Sequence, residues 1–256
     1  MLIDTSRHET FPLIIEETVK TYIDNLPQDV LKKIVAYPVQ YSNDVNCAIE
    51  AYISSYKAEY LYQEILPIME QCGLIAFHAT RLTSREGVYH TGLKAINWSW
   101  YGQMISQYLY NCGIYAEDVN KALSLIKQEY DRKYKKYNPL FLFSSVELVN
   151  TKDMIGYGQF CRNIGGELAK WALNDKMPEV YEVLKQGGEP VIIKLWVPFT
   201  EIDSHQKNSI IYSFICNSVA RYFWNFNYPI HFDCSICSDV TGDRIIEVIS
   251  YTEEIY

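Results

Sequence analysis

The chain has 256 residues, of which 48% are hydrophobic and 21% are charged, a composition typical of globular rather than disordered proteins. Its formal net charge of −8 argues against non-specific binding of the nucleic-acid phosphate backbone, although it does not exclude a local basic groove. The sequence contains no apolar run of about 18 residues and no signal-peptide pattern at its N-terminus, so we expect a cytoplasmic protein without a membrane partner.

The cysteines are scattered, and most lie within apolar runs, so we expect reduced, packed thiols rather than a disulfide framework. Cys234 and Cys237 have the spacing of half a zinc site, and His231 lies nearby. A second cysteine pair is missing, however, so a packed pair in a strand is the favoured interpretation. The seven cysteines are at positions 47, 72, 112, 161, 216, 234 and 237.

The N-terminal part predicts helices. Apolar residues recur at helical spacing at Val45, Ile49, Ile53 and Tyr56, within a helical pattern that extends from about residue 11 to 71. We therefore predict a helical N-terminal extension over residues 1–70, followed by one domain over residues 71–256. The apolar faces of these helices need burial, so we expect them to complete the core rather than form a separate bundle.

The middle of the chain predicts a strand and then three helices. The strand covers Leu74–Thr80, and a turn at Thr83–Ser84 leads into a brief helix that ends at Gly92. Further helices are expected at about 101–111 and 116–136. The second of these carries a dense charged run, which is typical of a solvated helical face.

Strands and helices alternate without a regular pattern from residue 139 onward, so the sequence predicts an α+β fold. The expected elements are a strand from about 140, helices opened by Gly165–Gly166 and at 177–186, a strand at Val191–Val197, a mostly buried helix at 209–226, and two final strands.

The tripeptide Gly-Gly-Glu occurs twice, in different settings. Gly187-Gly188-Glu189 follows an amphipathic helix and precedes Pro190 and an apolar strand, so it is predicted to be a connection. Gly165-Gly166-Glu167 instead precedes good helix formers, which places Glu167 in a first helical turn, where the helix dipole favours a carboxylate. Stabilisation of the helix N-terminus is enough to explain a glutamate at that position. Whether Glu167 is also catalytic has to be judged from motifs elsewhere in the chain.

A resemblance to ADP-ribosyltransferases begins at "FHATRL". A histidine at a strand end, then Thr80-Arg81, a short helix with Val88, and Gly92-Leu93 resemble the opening of that fold. The resemblance implies that His78 binds the adenosine ribose of NAD and that Ala79 and Thr80 clamp the nicotinamide amide. It also implies that Arg81 helps to hold the cofactor. An ordinary core or rim histidine and a solvent-facing arginine are the alternatives.

The chain also resembles a loosely described set of bacterial and phage transferase-like proteins. These have an aromatic-rich loop that runs into Gly-Gly-Glu, an apolar strand ending in Val-Pro, and a final β-branched strand. The corresponding parts here are the loop with Tyr157 and Phe160, then Gly165-Gly166-Glu167, Val197-Pro198 and Arg244–Val248. The resemblance covers roughly residues 74 to 251 and implies a split antiparallel β-sheet core with helices.

The implied activity is NAD-dependent mono-ADP-ribosylation of a macromolecule, protein or nucleic acid, as in bacterial toxins or phage-defence factors. Cleavage of the nicotinamide–ribose bond needs a carboxylate near a cationic ribose and a ring face for nicotinamide. Glu167 supplies the carboxylate in this interpretation, and Tyr157 or Phe160 supplies the ring. Gly166 lets the backbone approach NAD closely.

Three questions stay open at the level of sequence. The first is the catalytic acid, because such transferases carry it on a late strand, where Asp233 lies, with Asp239 and Glu247 as weaker rivals. The second is the reaction, since NAD hydrolysis in the same pocket and a degenerate binding module are alternatives. The third is the set of partners besides NAD, which includes the acceptor and, by the resemblance, an antitoxin or inhibitor protein.

Overall fold

The computed structural model describes residues 1–53, 58–145 and 160–251. In chain order the elements are β1 (Leu2–Ile3), α1 (Leu13–Asp24), α2 (Gln28–Val35), α3 (Ser42–Ala48), α4 (Ala58–Met69), β2 (Gly73–Leu82), α5 (Arg85–Thr91), α6 (Trp98–Asn111), α7 (Ala116–Lys133), β3 (Leu140–Phe143), α8 (Gly166–Leu173), α9 (Pro178–Gln186), β4 (Glu189–Pro198), α10 (Ser204–Trp224), β5 (Asp233–Ile236) and β6 (Ile245–Ser250). A π-helical turn at Ile49–Ile53 continues α3. None of the helices in the described ranges is long and apolar enough to cross a membrane.

Helix α10 organises the first of two compact units, which comprises residues 1–75 and 197–234. The helix packs against α1 and α4 and also contacts α2 and α3. Phe11, just before α1, meets the ring of Phe214 edge-on with centroids 5.0 Å apart. The Asp203 carboxylate caps the start of α10 by accepting from the His205 N–H at 2.9 Å, and Asn225 ends the helix in a left-handed conformation.

The second unit comprises residues 76–196 and those from 235 onward. In it, α7 packs on α6 and α8, and α9 packs on α8 and α6. Apolar side chains at helical spacing on these four helices form one buried cluster, because each helix turns one face toward the others. Its members include Tyr101, Ile105, Leu109, Val119, Ala122, Ile126, Leu168, Ala172, Leu173 and Leu184.

The strands form one open sheet in the order β5-β3-β2-β4-β6, with β1 paired to β2. β1 runs parallel to β2, whereas β3 is antiparallel to β2 and β6 is antiparallel to β4. Five consecutive residues of β2, Gly73 to Phe77, are buried, as expected for a strand covered on both faces. Hydrogen bonding joins the described strands into one sheet, whereas the resemblance implies a split sheet.

The predicted α+β class is confirmed, with differences in detail. The predicted division at residue 70 does not coincide with the compact units, because α10 buries its apolar face against the N-terminal helices and brings residues 197–234 into their unit. The final strands are shorter than predicted, since the stretch before Asp233 is irregular. The first strand extends to Leu82, and β1 was not predicted.

Candidate active site

His78 lies in β2, and its ring is anchored to strand β3. Its Nδ1 is 2.9 Å from the backbone carbonyl oxygen of Phe141. Because a carbonyl only accepts, Nδ1 carries the hydrogen, and Nε2 of the neutral ring is then an acceptor. Burial lowers the pKa of His78 below its ordinary value, and the hydrogen bond to Phe141 offsets only part of that shift. The result is a neutral, oriented imidazole suited to accept a hydrogen bond from a sugar hydroxyl.

The two residues after His78 continue the strand on alternate faces. Ala79 is buried, whereas Thr80 is partly exposed, as His78 is. Since side chains of a strand alternate between its faces, His78 and Thr80 share one face and Ala79 fills the core behind it. The strand therefore presents an imidazole and a hydroxyl side by side.

Arg81 is engaged with the protein backbone. Its Nη1 donates to the carbonyl of Cys161 and its Nη2 to the carbonyl of Gly188, both at 2.9 Å, while Nε donates to the carbonyl of Gly187. Each of the three guanidinium nitrogens thus donates a hydrogen bond to a different backbone carbonyl. The planar guanidinium, with donors in fixed directions, suits this arrangement. In this conformation Arg81 fastens two connecting segments together rather than offering its charge to an anion.

The second Gly-Gly-Glu is a connection, as predicted. α9 ends at Gln186, and β4 begins at Glu189. Gly188 has a φ of +63°, and a Cβ there would lie 2.8 Å from the carbonyl oxygen of Leu82. Glycine is therefore required by the close passage of the chain, and Glu189 forms an exposed ion pair with Arg85.

The first Gly-Gly-Glu opens α8, also as predicted. Gly165 has a φ of +83°, and a Cβ there would lie 2.7 Å from the hydroxyl of Tyr101. That hydroxyl donates to the carbonyl of Gly165 at 2.6 Å, while buried Asn163 donates to the carbonyl of Gly166 at 2.9 Å. The structure thus explains Gly165 by packing and backbone conformation. Gly166, with a φ of +57°, has no atom within 4 Å of an added Cβ.

Glu167 lies in the first turn of α8 and is half-buried. Burial raises the pKa of its carboxyl, and the ammonium groups of Lys170 and Lys133 counteract part of that rise. Lys133 also lies over the ring of Trp171, one turn further along α8. The site therefore contains a partly desolvated carboxylate between two cations and beside an aromatic ring.

His78 contacts β3, β3 contacts the end of α7, and the charge of Glu167 acts on the end of α7. The carbonyl of Phe141 accepts from His78, and the Phe141 ring meets the ring of Tyr134 edge-on with centroids 5.9 Å apart. Burial, and secondarily the negative charge of Glu167, raise the pKa of Tyr134 to about 12. His78 and Glu167 belong to the same compact unit, and Tyr134 is near enough to Glu167 for its charge to act on the Tyr134 hydroxyl.

The remaining candidate residues differ in burial and in the element that carries them. Phe160 is half-buried in a short turn before α8, and Tyr157 lies outside the described residues. Asp233 is exposed at the start of β5 and belongs to the first unit, whereas His78 and Glu167 belong to the second. Glu247 is exposed on β6, opposite Lys194 of β4.

The carboxylate of Asp239 binds two groups in the segment after α5. Its carboxylate accepts from the Lys94 ammonium at 2.8 Å and from the Ala95 N–H at 2.9 Å. Burial acts to raise its pKa, but these hydrogen bonds outweigh burial and lower it. Asp239 therefore has a structural explanation as the residue that holds the segment after α5.

Sequence reasoning missed three contributors to this site. The carbonyl of Phe141 orients His78, the ring of Tyr134 packs on Phe141, and Asn163 orders the turn before α8. The sequence offered one clue to Asn163: it lies two residues before Gly165-Gly166, and asparagine side chains commonly hydrogen-bond the backbone of such turns. It offered none to the other two, because their partners are distant in sequence.

No cluster of three or more potential metal ligands occurs among the residues that the structure describes. Cys234 is buried, and Cys237 is exposed. Comparison of the chain with family models, curated proteins and solved structures gives no match. Function is therefore inferred from the chemistry of the residues themselves.

Proposed function

We propose that the chain is an NAD-dependent mono-ADP-ribosyltransferase that modifies a macromolecule, with NAD as its reacting substrate. The observation that carries the proposal is the hydrogen bond between His78 Nδ1 and the Phe141 carbonyl. It leaves Nε2 as the acceptor of a neutral imidazole on the accessible face of β2. Such an atom is suited to bind a ribose hydroxyl of NAD. Thr80, on the same face, is placed to bind next to it.

Glu167 is the proposed catalytic carboxylate. When the bond between nicotinamide and ribose C1′ breaks, its electron pair leaves with nicotinamide and the ribose becomes cationic. A partly desolvated carboxylate stabilises that cation more strongly than a hydrated one does. An oxygen or nitrogen of the acceptor then bonds to C1′ and releases its proton, which Glu167 is suited to take because burial raises the pKa of its carboxyl.

Glu167 is favoured over Asp233 for two reasons. It belongs to the same compact unit as His78, and it is half-buried, whereas Asp233 is exposed. Phe160 and Tyr157 are kept as the proposed nicotinamide-stacking residues. Arg81 has a backbone-fastening role in the same unit, so its proposed contribution to NAD binding is indirect.

The test is incubation of the purified protein with adenylate-labelled NAD and a bacterial lysate, followed by protease or nuclease treatment. The variants are His78→Ala and Glu167→Gln. Their matched controls are His90→Ala, an exposed histidine of α5, and Glu179→Gln, an exposed glutamate in the first turn of α9. Loss of a transition-state-stabilising group is expected to reduce the rate by about 10²-fold or more.

Macromolecular label that depends on His78 and Glu167 but not on His90 and Glu179 is the expected result. Its sensitivity to protease or nuclease identifies the acceptor. Free ADP-ribose without macromolecular label would establish NAD hydrolysis instead. If the protein consumes no NAD and NAD does not change its melting temperature, the proposed enzyme is rejected in favour of a binding module.

A further inference from the structure

A basic and aromatic surface lies next to Glu167, where α7 ends and α8 begins. We call it the lysine–aromatic patch, and it consists of Lys133, Lys135, Lys136, Tyr137, Lys170 and Trp171. All six residues belong to the second compact unit. Lys133 and Lys170 flank Glu167 closely enough to affect its ionisation. These two lysines of the patch therefore lie near the carboxylate that the proposed reaction uses.

The two aromatic side chains of the patch are exposed to solvent. Trp171 is 40% exposed, and Tyr137 is 55% exposed. An ammonium group lies over each ring: Lys133 over Trp171, and Lys136 over Tyr137 at 4.9 Å from the centroid. Exposed ring faces with cations beside them are the two components of surfaces that bind single-stranded nucleic acid.

The acids that precede the patch on α7 are paired with cations outside it. Glu129 pairs with Arg132, and Asp131 pairs with Lys127, so these neighbouring acids are already balanced. Within the described residues, the four patch lysines form no ion pair. A local excess of cations stands out in a chain whose net charge is −8, so the patch attracts anions that the remaining surface repels.

We infer that the lysine–aromatic patch binds single-stranded nucleic acid and that this nucleic acid is the acceptor, an inference that rests on the proposed function. The lysines contact the phosphates, and unpaired bases stack on Trp171 and Tyr137 once Lys133 and Lys136 move from the rings to the backbone. Stacking requires bases that are free of a duplex. An acidic peptide would use the lysines but would leave the rings without planar partners.

The test measures binding without NAD, so it does not depend on catalysis. Fluorescence anisotropy is recorded with labelled oligouridylate and oligothymidylate of about 12 nucleotides and with duplex DNA of equal length. The key variant is Lys135→Gln/Lys136→Gln, matched by Lys32→Gln/Lys33→Gln, an exposed lysine pair on α2. Tyr137→Leu tests stacking, and Tyr115→Leu is its exposed control.

The patch variant is expected to weaken single-strand binding about tenfold and to reduce the slope of log K against log salt by about 1.4, while its binding of NAD stays unchanged. Tyr137→Leu is expected to weaken binding about tenfold, and neither control should weaken it. Undetectable single-strand binding, equal effects of the two lysine pairs, or preference for the duplex would each overturn the inference. If the protein binds single strands through the patch but never consumes NAD, the patch is a nucleic-acid-binding surface and the proposed reaction is rejected. Glu167→Gln should bind single strands as wild type does in that case.

Discussion

The imidazole of His78 and the backbone carbonyl of Phe141 share a hydrogen bond of 2.9 Å between β2 and β3. The bond fixes both the tautomer and the direction of the ring. It also opposes, without cancelling, the effect of burial that lowers the pKa of His78. Protonation of the ring is therefore resisted by the folded protein, and the resistance is measurable.

The first prediction concerns the dependence of stability on pH. The His78 pKa is lower in the folded protein than its ordinary 6.5, so the unfolded chain binds more protons between the two values. The contribution of neutral His78 to the free energy of unfolding is complete above about pH 6.5. It decreases as the pH falls toward the pKa of His78 in the folded protein. We expect wild type to lose more stability than His78→Gln between about pH 7 and 5 in urea unfolding. His90→Gln should behave as wild type does. Equal losses in wild type and His78→Gln would contradict the assignment.

The second prediction compares two arginines four positions apart. Arg81→Ala leaves three backbone carbonyls without their charged donor and should cost about 2–4 kcal/mol of unfolding free energy. Arg85→Ala removes an exposed ion pair with Glu189 and should cost less than about 1 kcal/mol. Chemical unfolding monitored by circular dichroism measures both. Similar costs for the two variants would show that Arg81 does not fasten the two segments.

The third prediction separates backbone strain from collision. Gly165 and Gly113 have nearly the same φ, +83° and +80°, but an added Cβ meets Tyr101 and Ile105 only at Gly165. Gly113→Ala should therefore cost about 1–2 kcal/mol from conformation alone. Gly165→Ala should cost about 1–3 kcal/mol more, because the core must move to make room. Thermal unfolding of both variants is the measurement, and equal melting temperatures would refute the packing role of Gly165.

The fourth prediction is that Glu167 destabilises the fold in its charged form. Its pKa is raised by burial, so the folded state binds the proton better, and the stability this provides is lost as the pH rises through the folded pKa. Glu167→Gln is therefore expected to raise the melting temperature near neutral pH while it slows NAD consumption by about 10²-fold or more. Glu179→Gln should do neither. A lower melting temperature for Glu167→Gln would indicate a structural role for the carboxylate.

The order of the helices and strands after β1 was largely predictable from local pattern. The two Gly-Gly-Glu copies, for example, were distinguished by the residues on their C-terminal side, since Pro190 precedes a strand and Leu168 begins an apolar helical stripe. Such signals lie within a few residues of the element that they determine, so the sequence alone is sufficient to find them.

The tertiary partners were not predictable in the same way. Arg81 finds acceptors 80, 106 and 107 residues further along the chain, and a side chain that faces backbone carbonyls places no requirement on the residue types that supply them. The grouping of α10 with the N-terminal helices has the same origin. Its apolar face shows that it must be buried but does not identify the surface that covers it.

The arrangement around Arg81 has a consequence for protein engineering. Because the backbone carbonyls of residues 161, 187 and 188 accept from one side chain, Arg81 and the backbone conformation of these two segments have to be preserved together. A chimera with another residue at position 81 would lose the hydrogen bonds that join the segment before α8 to the connection between α9 and β4. Library design in this region should accordingly hold residue 81 constant and diversify the exposed positions around it.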